Sequence, residues 1–191
     1  MTDIKTENIF HTLGNGRELV VIHVPKSGGC AIRAQLFGQK PTYFHPTWRE
    51  IVALHGERAK SAIKIALIRN PRDRILSLLA HMRSESHGFY SPEMAFREIS
   101  RRNTVLGFQD RFSLLACEYL EGCTPDFVIR QSHMQDDVDH MCKSLGLARL
   151  VIKQMNVSED KPIWENLDPD LQCAISKYIS RYVEFCAQFC C

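Results

Sequence analysis

Residues 22–36 read IHVPKSGGCAIRAQL, and the fold turns on how that stretch is read. An apolar run from Glu18 to Val24, ELVVIHV, meets Pro25 and Lys26, passes Gly28 and Gly29, and enters GCAIRAQLFG without a linker. A continuous run of that length and composition predicts a strand buried on both faces, as in the centre of a parallel sheet. Ile32, Leu36 and Phe37 then share one face of a helix that Gly38 would end. A strand turning directly into a helix aims main-chain N–H groups and a helix N-terminus at one point, which suits an anion. Gly28 and Gly29 permit close approach, and Lys26 adds a compact positive charge. The plainer reading of the same residues is a tight strand–helix turn with an exposed lysine.

The pattern recurs. SAIKIALI (61–68) is a second strand, and NPRDRILSLLAHMR (70–83) follows it at once. Pro71 stands at a first-turn position, and Ile75, Leu78, Leu79 and Met82 recur at helical spacing. Two strand–loop–helix units predict an α/β fold with a central parallel sheet flanked by helices, and such folds bind phosphates at the carboxyl ends of their strands. Arg69, at the end of the second strand, can make a bidentate phosphate contact. Ser77, two helical turns on, can donate a hydroxyl. Asp73 and Arg74 read as ion-pair residues that hold the loop. Two strand-end phosphate sites in one sheet predict a ligand with phosphates at two separated places. The Walker A pattern, GxxxxGK[ST], puts its lysine after the glycines. Here Lys26 precedes them and no GK[ST] occurs, so the cradle is of another kind.

The rest of the chain fits one domain, residues 1–191, with residues 1–17 as a loose leader ending in the turn LGNGR. A short helix is expected from about Thr47, which can cap it, and two more across 92–120. DFVIRQ (126–131) is a third strand, MQDDVDHMCKSL a helix stopped by Gly146, and 168–189 a long last helix. That helix presents Leu171, Ile175, Tyr178, Ile179, Tyr182 and Phe185 on one side. A net charge of +2 argues against a nucleic-acid or anionic-membrane partner for the molecule as a whole. No basic stretch with an apolar core opens the chain, and no apolar run is long enough to span a bilayer, so a cytoplasmic protein is expected. The eight cysteines show no CxxC spacing. They read as small buried hydrophobes in a reducing compartment, and no metal site is expected.

These motifs carry a family resemblance. HVPKSGG resembles the PKTGG phosphosulfate loop of sulfotransferases that use 3′-phosphoadenosine 5′-phosphosulfate (PAPS), and LIRNPRDRILS resembles their VRNPxxRxxS 3′-phosphate motif. YFHPTWREI (43–51), DFVIRQSHMQDDVDHMCKSLGL (126–147) and QMNVSE (154–159) are similar to further segments of the carbohydrate-type members, the heparan 2-O and chondroitin type and its small bacterial relatives. The likeness runs from about residue 19 to 189. It implies a P-loop-like three-layer fold, PAPS as donor and 3′,5′-ADP as product, with no metal. It implies that Lys26 contacts the phosphosulfate and the leaving oxygen. The amides of Ser27, Gly28, Gly29, Cys30 and Ala31 would complete the cradle, and Arg69 and Ser77 would bind the 3′-phosphate. The chain departs from the family where Cys30 and Ala31 replace hydroxyl residues after the glycines.

Transfer to a hydroxyl needs a general base near the acceptor. His45 stands in the segment where the family places a histidine, with a surface-loop histidine as the alternative. His55, His81 and His133 are weaker candidates, as are Glu50 and Asp110, and His23 reads as core. Arg130 and Asn156 match family segments as donor or structural contacts. Trp48 and Trp164 read as core or pocket walls, and Arg97, Arg101 and Arg102 as one basic face. The expected activity is sulfuryl transfer to a sugar or small-molecule hydroxyl. The alternatives are a nucleotide-binding protein that holds 3′,5′-ADP without transfer, and a P-loop-type kinase.

Overall fold

The computed structural model describes residues 9–38, 45–83, 91–100, 115–153 and 161–188. Strands β1 (Phe10–Thr12), β2 (Glu18–Ile22), β3 (Ile63–Ile68) and β4 (Phe127–Arg130) form one sheet in the order β1-β2-β3-β4. β1 pairs antiparallel with β2, whereas β2, β3 and β4 are parallel neighbours. Ile22 is in register with Ala66, and Ile68 with Arg130. The segments that follow β2 and β3 therefore leave the same edge of the sheet side by side.

Alternation along the strands divides the core. Leu19, Val21, Ile65, Leu67 and Ile129 face one way, packed by Ile32 and Leu36 of α1 (Gly29–Phe37). Val138, Met141 and Cys142 of the helix Met134–Leu145 cover the same side. Val20, Ile22, Ala66 and Ile68 face the other way, toward Trp48 and Ile51 of α2 (Trp48–His55). The short α3 (Glu57–Ser61) leads into β3. α4 (Pro71–Met82) and α5 (Pro92–Ser100) follow β3, and α6 (Ala116–Tyr119) precedes β4. The helix after β4 is α7, and the last, Pro169–Ala187, is α8. Ile75, Leu78, Leu79 and Met82 of α4 meet Phe96 and Ile99 of α5 and Leu171, Ile175 and Ile179 of α8 in a further cluster. Each such fully buried side chain contributes about 1.5–3 kcal/mol. The fold is thus an α/β sheet, mostly parallel, with helices on both faces.

Local chemistry sets the boundaries. Thr47 and Glu50 form a reciprocal capping box at the start of α2. Asn70 caps α4 through Arg72 N–H and Asp73 N–H, with Pro71 at its first position. Gly38 and Gly146 close α1 and α7 in left-handed conformations.

Two expectations need correction. The leader does not run loose to Arg17: Ile9, Phe10 and Leu13 are buried, and β1 adds an antiparallel edge strand through the turn at Leu13–Arg17. Three residues are too few to show a periodic pattern, so only the pairing reveals them. Cys173 is exposed on α8, unlike the buried Cys142 and Cys186. No helix among the described residues is long and apolar enough to cross a membrane.

Candidate functional site

The loop begins where β2 ends. Ser27 N–H donates to Val24 O at 3.3 Å and closes a β-turn with Pro25 and Lys26 at its centre. Lys26 has a φ of 65° and is the one non-glycine residue with positive φ among those described. Proline followed by a left-handed residue is the type II pattern, whose third position favours glycine. A side chain there costs on the order of 1–2 kcal/mol. The second motif holds the strained turn in place. Arg69 Nη1 donates to Lys26 O at 2.9 Å, and Arg74 Nε donates to Pro25 O at 3.0 Å.

The glycines do something the sequence did not suggest. A Cβ on Gly29 would lie 1.9 Å from His23 Cδ2, and one on Gly28 would lie 2.3 Å from the Met134 terminal methyl. The missing side chains make room for the protein's own packing. The helix that follows has no side-chain cap and no acidic residue in its first turn. No group of that first turn offsets the positive end of the helix, which starts three residues after Lys26.

The charges are lopsided. Among the described residues, neither Lys26 nor Arg69 forms an ion pair, and the nearby Asp73 is bonded to Lys161 Nζ at 2.8 Å. Burial, and then the Arg69 charge, push the Lys26 ammonium below the ordinary lysine range. Burial also lowers Arg69, with Asp73 opposing it. Ser27 Oγ and Arg69 Nε are buried with no hydrogen-bond partner among the described residues. Polar groups left so cost about 1–3 kcal/mol each. An anion would relieve both the repulsion between Lys26 and Arg69 and the unpaired donors.

Lys26, Arg69 and Arg74 are therefore brought together directly. Ser77 is buried at 6% exposure, one turn after Arg74 on α4. Cys30 is half-buried and Ala31 buried in the first turn of α1. His45 is not a surface-loop residue: it is 7% exposed, and its ring stands edge-on to His23, centroids 4.2 Å apart. His45 Nδ1 lies 3.3 Å from His23 O, an acceptor only, so Nδ1 carries the proton and Nε2 is the basic nitrogen of the neutral ring. Burial, with the charges of His45 and Arg33, holds His23 well below the usual histidine range.

Other candidates have structural work. Glu50 Oε2 accepts from Thr47 in the capping box. His55 packs edge-on against Phe10, His133 bonds to Ser132, and His81 lies in the last turn of α4. Arg130 grips Asp137 at 2.7 and 3.0 Å and clips β4 to α7. Trp48 is core, Trp164 stacks beneath the Arg72 guanidinium, and Arg97 is exposed on α5. Asp110, Asn156, Arg101 and Arg102 lie outside the described residues.

Sequence reading missed the support around the loop. Arg33 is a buried charge on α1 beside His23, and Tyr182 of α8 hydrogen-bonds to the backbone of Arg69. A charged residue inside the apolar face of α1 was the available signal for the first. Tyr182 carried none beyond its place in an apolar stripe. No protein-family model, curated protein or solved structure matches the chain.

Proposed function

We propose that the chain is a PAPS-dependent sulfotransferase with a P-loop-like fold, moving a sulfuryl group to a hydroxyl of a sugar or small molecule. The observation that carries this reading is the hydrogen bond from Arg69 to Lys26 O, which joins the two phosphate motifs at one sheet edge. A donor with phosphates at both the 3′ and 5′ positions of one nucleoside needs two such sites held in fixed relation. In this reading Lys26 and the uncapped N-terminus of α1 meet the phosphosulfate, and their charge stabilises the leaving oxygen. Ser27 Oγ supplies a further donor. Arg69, through its unused Nε, and Ser77 meet the 3′-phosphate. His45 Nε2 takes the proton from the acceptor hydroxyl.

A second reading is a protein that binds 3′,5′-ADP without transfer. Cys30 and Ala31 favour it, because the first turn of α1 then offers the donor no hydroxyl. The kinase alternative lacks the GK[ST] element in the sequence.

Calorimetric titration with 3′,5′-ADP, against 5′-AMP and ATP without metal, tests the proposal. Tight binding that needs the 3′-phosphate and fails in Arg69→Ala supports the donor site. Equal binding of 3′,5′-ADP and 5′-AMP refutes it. Incubation with PAPS and candidate hydroxyl acceptors then separates the two readings, since only the enzyme releases 3′,5′-ADP as acceptor is consumed.

A further inference from the structure

Tyr182 lies 113 residues after Arg69, on α8, and is 0% exposed. Its hydroxyl donates to Arg69 O at 2.8 Å and accepts from Arg69 N–H at 3.3 Å. Cys186 Sγ, one turn further along α8, reaches the same carbonyl at 3.8 Å. Arg69 has just left β3, so its main-chain groups no longer belong to the sheet ladder, and groups buried in this way need partners. One phenol satisfies both. The Tyr182 ring also lies 6.0 Å from the Arg74 guanidinium, at the outer limit of a cation–π contact. Arg69 and Arg74 are the two side chains that hold the carbonyls of Lys26 and Pro25. A single residue of the last helix thus contacts both of the arginines that hold the strained turn.

We propose that Tyr182 is a positioning residue for the loop. By fixing the backbone of residue 69, it sets the reach of the Arg69 guanidinium to Lys26 O, and so keeps Lys26 left-handed with its ammonium beside the N-terminus of α1. Removing the hydroxyl frees the β3–α4 junction, the arginine loses its register, and the turn relaxes. What this does to a nucleotide rests on the donor reading above, whereas the mechanical link from α8 to the loop does not.

The test is amide hydrogen exchange on the ligand-free full chain, comparing the wild type with Tyr182→Phe, Arg69→Ala and the double variant. Ser27, Ala31 and Ile32 are the amides that bond within the loop. Tyr182→Phe should speed their exchange by about tenfold, the scale of a lost hydrogen bond. The double variant should exchange no faster than Arg69→Ala alone, because both changes act through one side chain. Exchange across α7 should stay at the wild-type rate and report an intact fold. Unchanged loop exchange in Tyr182→Phe, or multiplied effects in the double variant, overturns the proposal. A second arm measures the preference for 3′,5′-ADP over 5′-AMP, which should fall about tenfold in Tyr182→Phe. A wild-type preference in that variant also overturns it. If the wild type itself shows no preference, the donor reading fails, and loop exchange alone decides the role of Tyr182.

Discussion

The Nη1 of Arg69 lies 2.9 Å from the main-chain oxygen of Lys26, so the second motif of the sequence grips the first by its backbone. The consequence is electrostatic as well as mechanical. The guanidinium satisfies a carbonyl rather than a carboxylate, so its charge adds to that of Lys26. A partly buried edge with two like charges is unfavourable without a counter-charge, and it favours a polyanionic ligand over a neutral one.

Replacing Lys26 separates its backbone cost from its chemical use. Glycine adopts a φ of 65° without strain, whereas alanine pays the same steric penalty as lysine. Lys26→Gly should therefore be more stable than Lys26→Ala by about 1 kcal/mol in urea unfolding. On the proposed reading, both should also lose sulfuryl transfer. Equal stability of the two variants would show that the turn changes conformation once the side chain is removed.

Gly29→Ala should destabilise the fold by about 1–3 kcal/mol, as overpacking does. The new methyl meets the His23 ring, and that ring is backed by His45. Adding His23→Ala should recover part of the loss, giving a coupling between the two sites in a double-mutant cycle. Strict additivity in thermal or urea unfolding would contradict the contact.

Periodicity and turn chemistry revealed most of the architecture. The runs at Glu18–Val24 and Ile63–Ile68 are strands, Gly38 and Gly146 end helices, and Thr47 caps one. Sequence failed where information is carried between distant segments. β1 is too short to have a period and exists through its pairing with β2. The strain at Lys26 was invisible, because nothing local distinguishes a lysine held left-handed from one in an ordinary turn. The surface-loop alternative for His45, suggested by its neighbouring prolines, fails because His45 is buried against the His23 ring and carbonyl. Arg74 reads from sequence as an ion-pair residue that holds the loop. It does hold the loop, through the carbonyl of Pro25.

His23 should make stability depend on mildly acidic pH. Its native pKa lies well below the usual value of 6.5, so below that pH the unfolded chain binds a proton that the native chain refuses. Stability then rises with pH across the window beneath 6.5, and this contribution is lost as the pH falls through it, at up to about 1.4 kcal/mol per pH unit. His23→Phe should flatten the slope of urea-unfolding free energy between pH 6.5 and the acid limb. An unchanged slope in that variant would assign the titration to another group.

On the sulfotransferase reading proposed above, the three residues assigned to its site should fail in different ways. Arg69→Ala would remove the proposed charged hydrogen bond to the 3′-phosphate along with the hold on Lys26, so affinity for 3′,5′-ADP should fall by about 1.5–3 kcal/mol. Lys26→Ala should lower that affinity in part and abolish transfer, because its charge matters most as the leaving oxygen develops its own. His45→Ala should leave 3′,5′-ADP binding intact and lower turnover, since a base acts on the acceptor. Binding also carries a pH signature. The Lys26 ammonium is held below the ordinary lysine range, so affinity for 3′,5′-ADP should decline with rising pH before an ordinary lysine loses its proton. Lys26→Arg keeps its charge throughout and should remove that decline. Calorimetry across alkaline pH checks this: if Lys26→Arg follows the wild-type curve, the titrating group is not Lys26, and the loop does not contact the phosphate through that side chain.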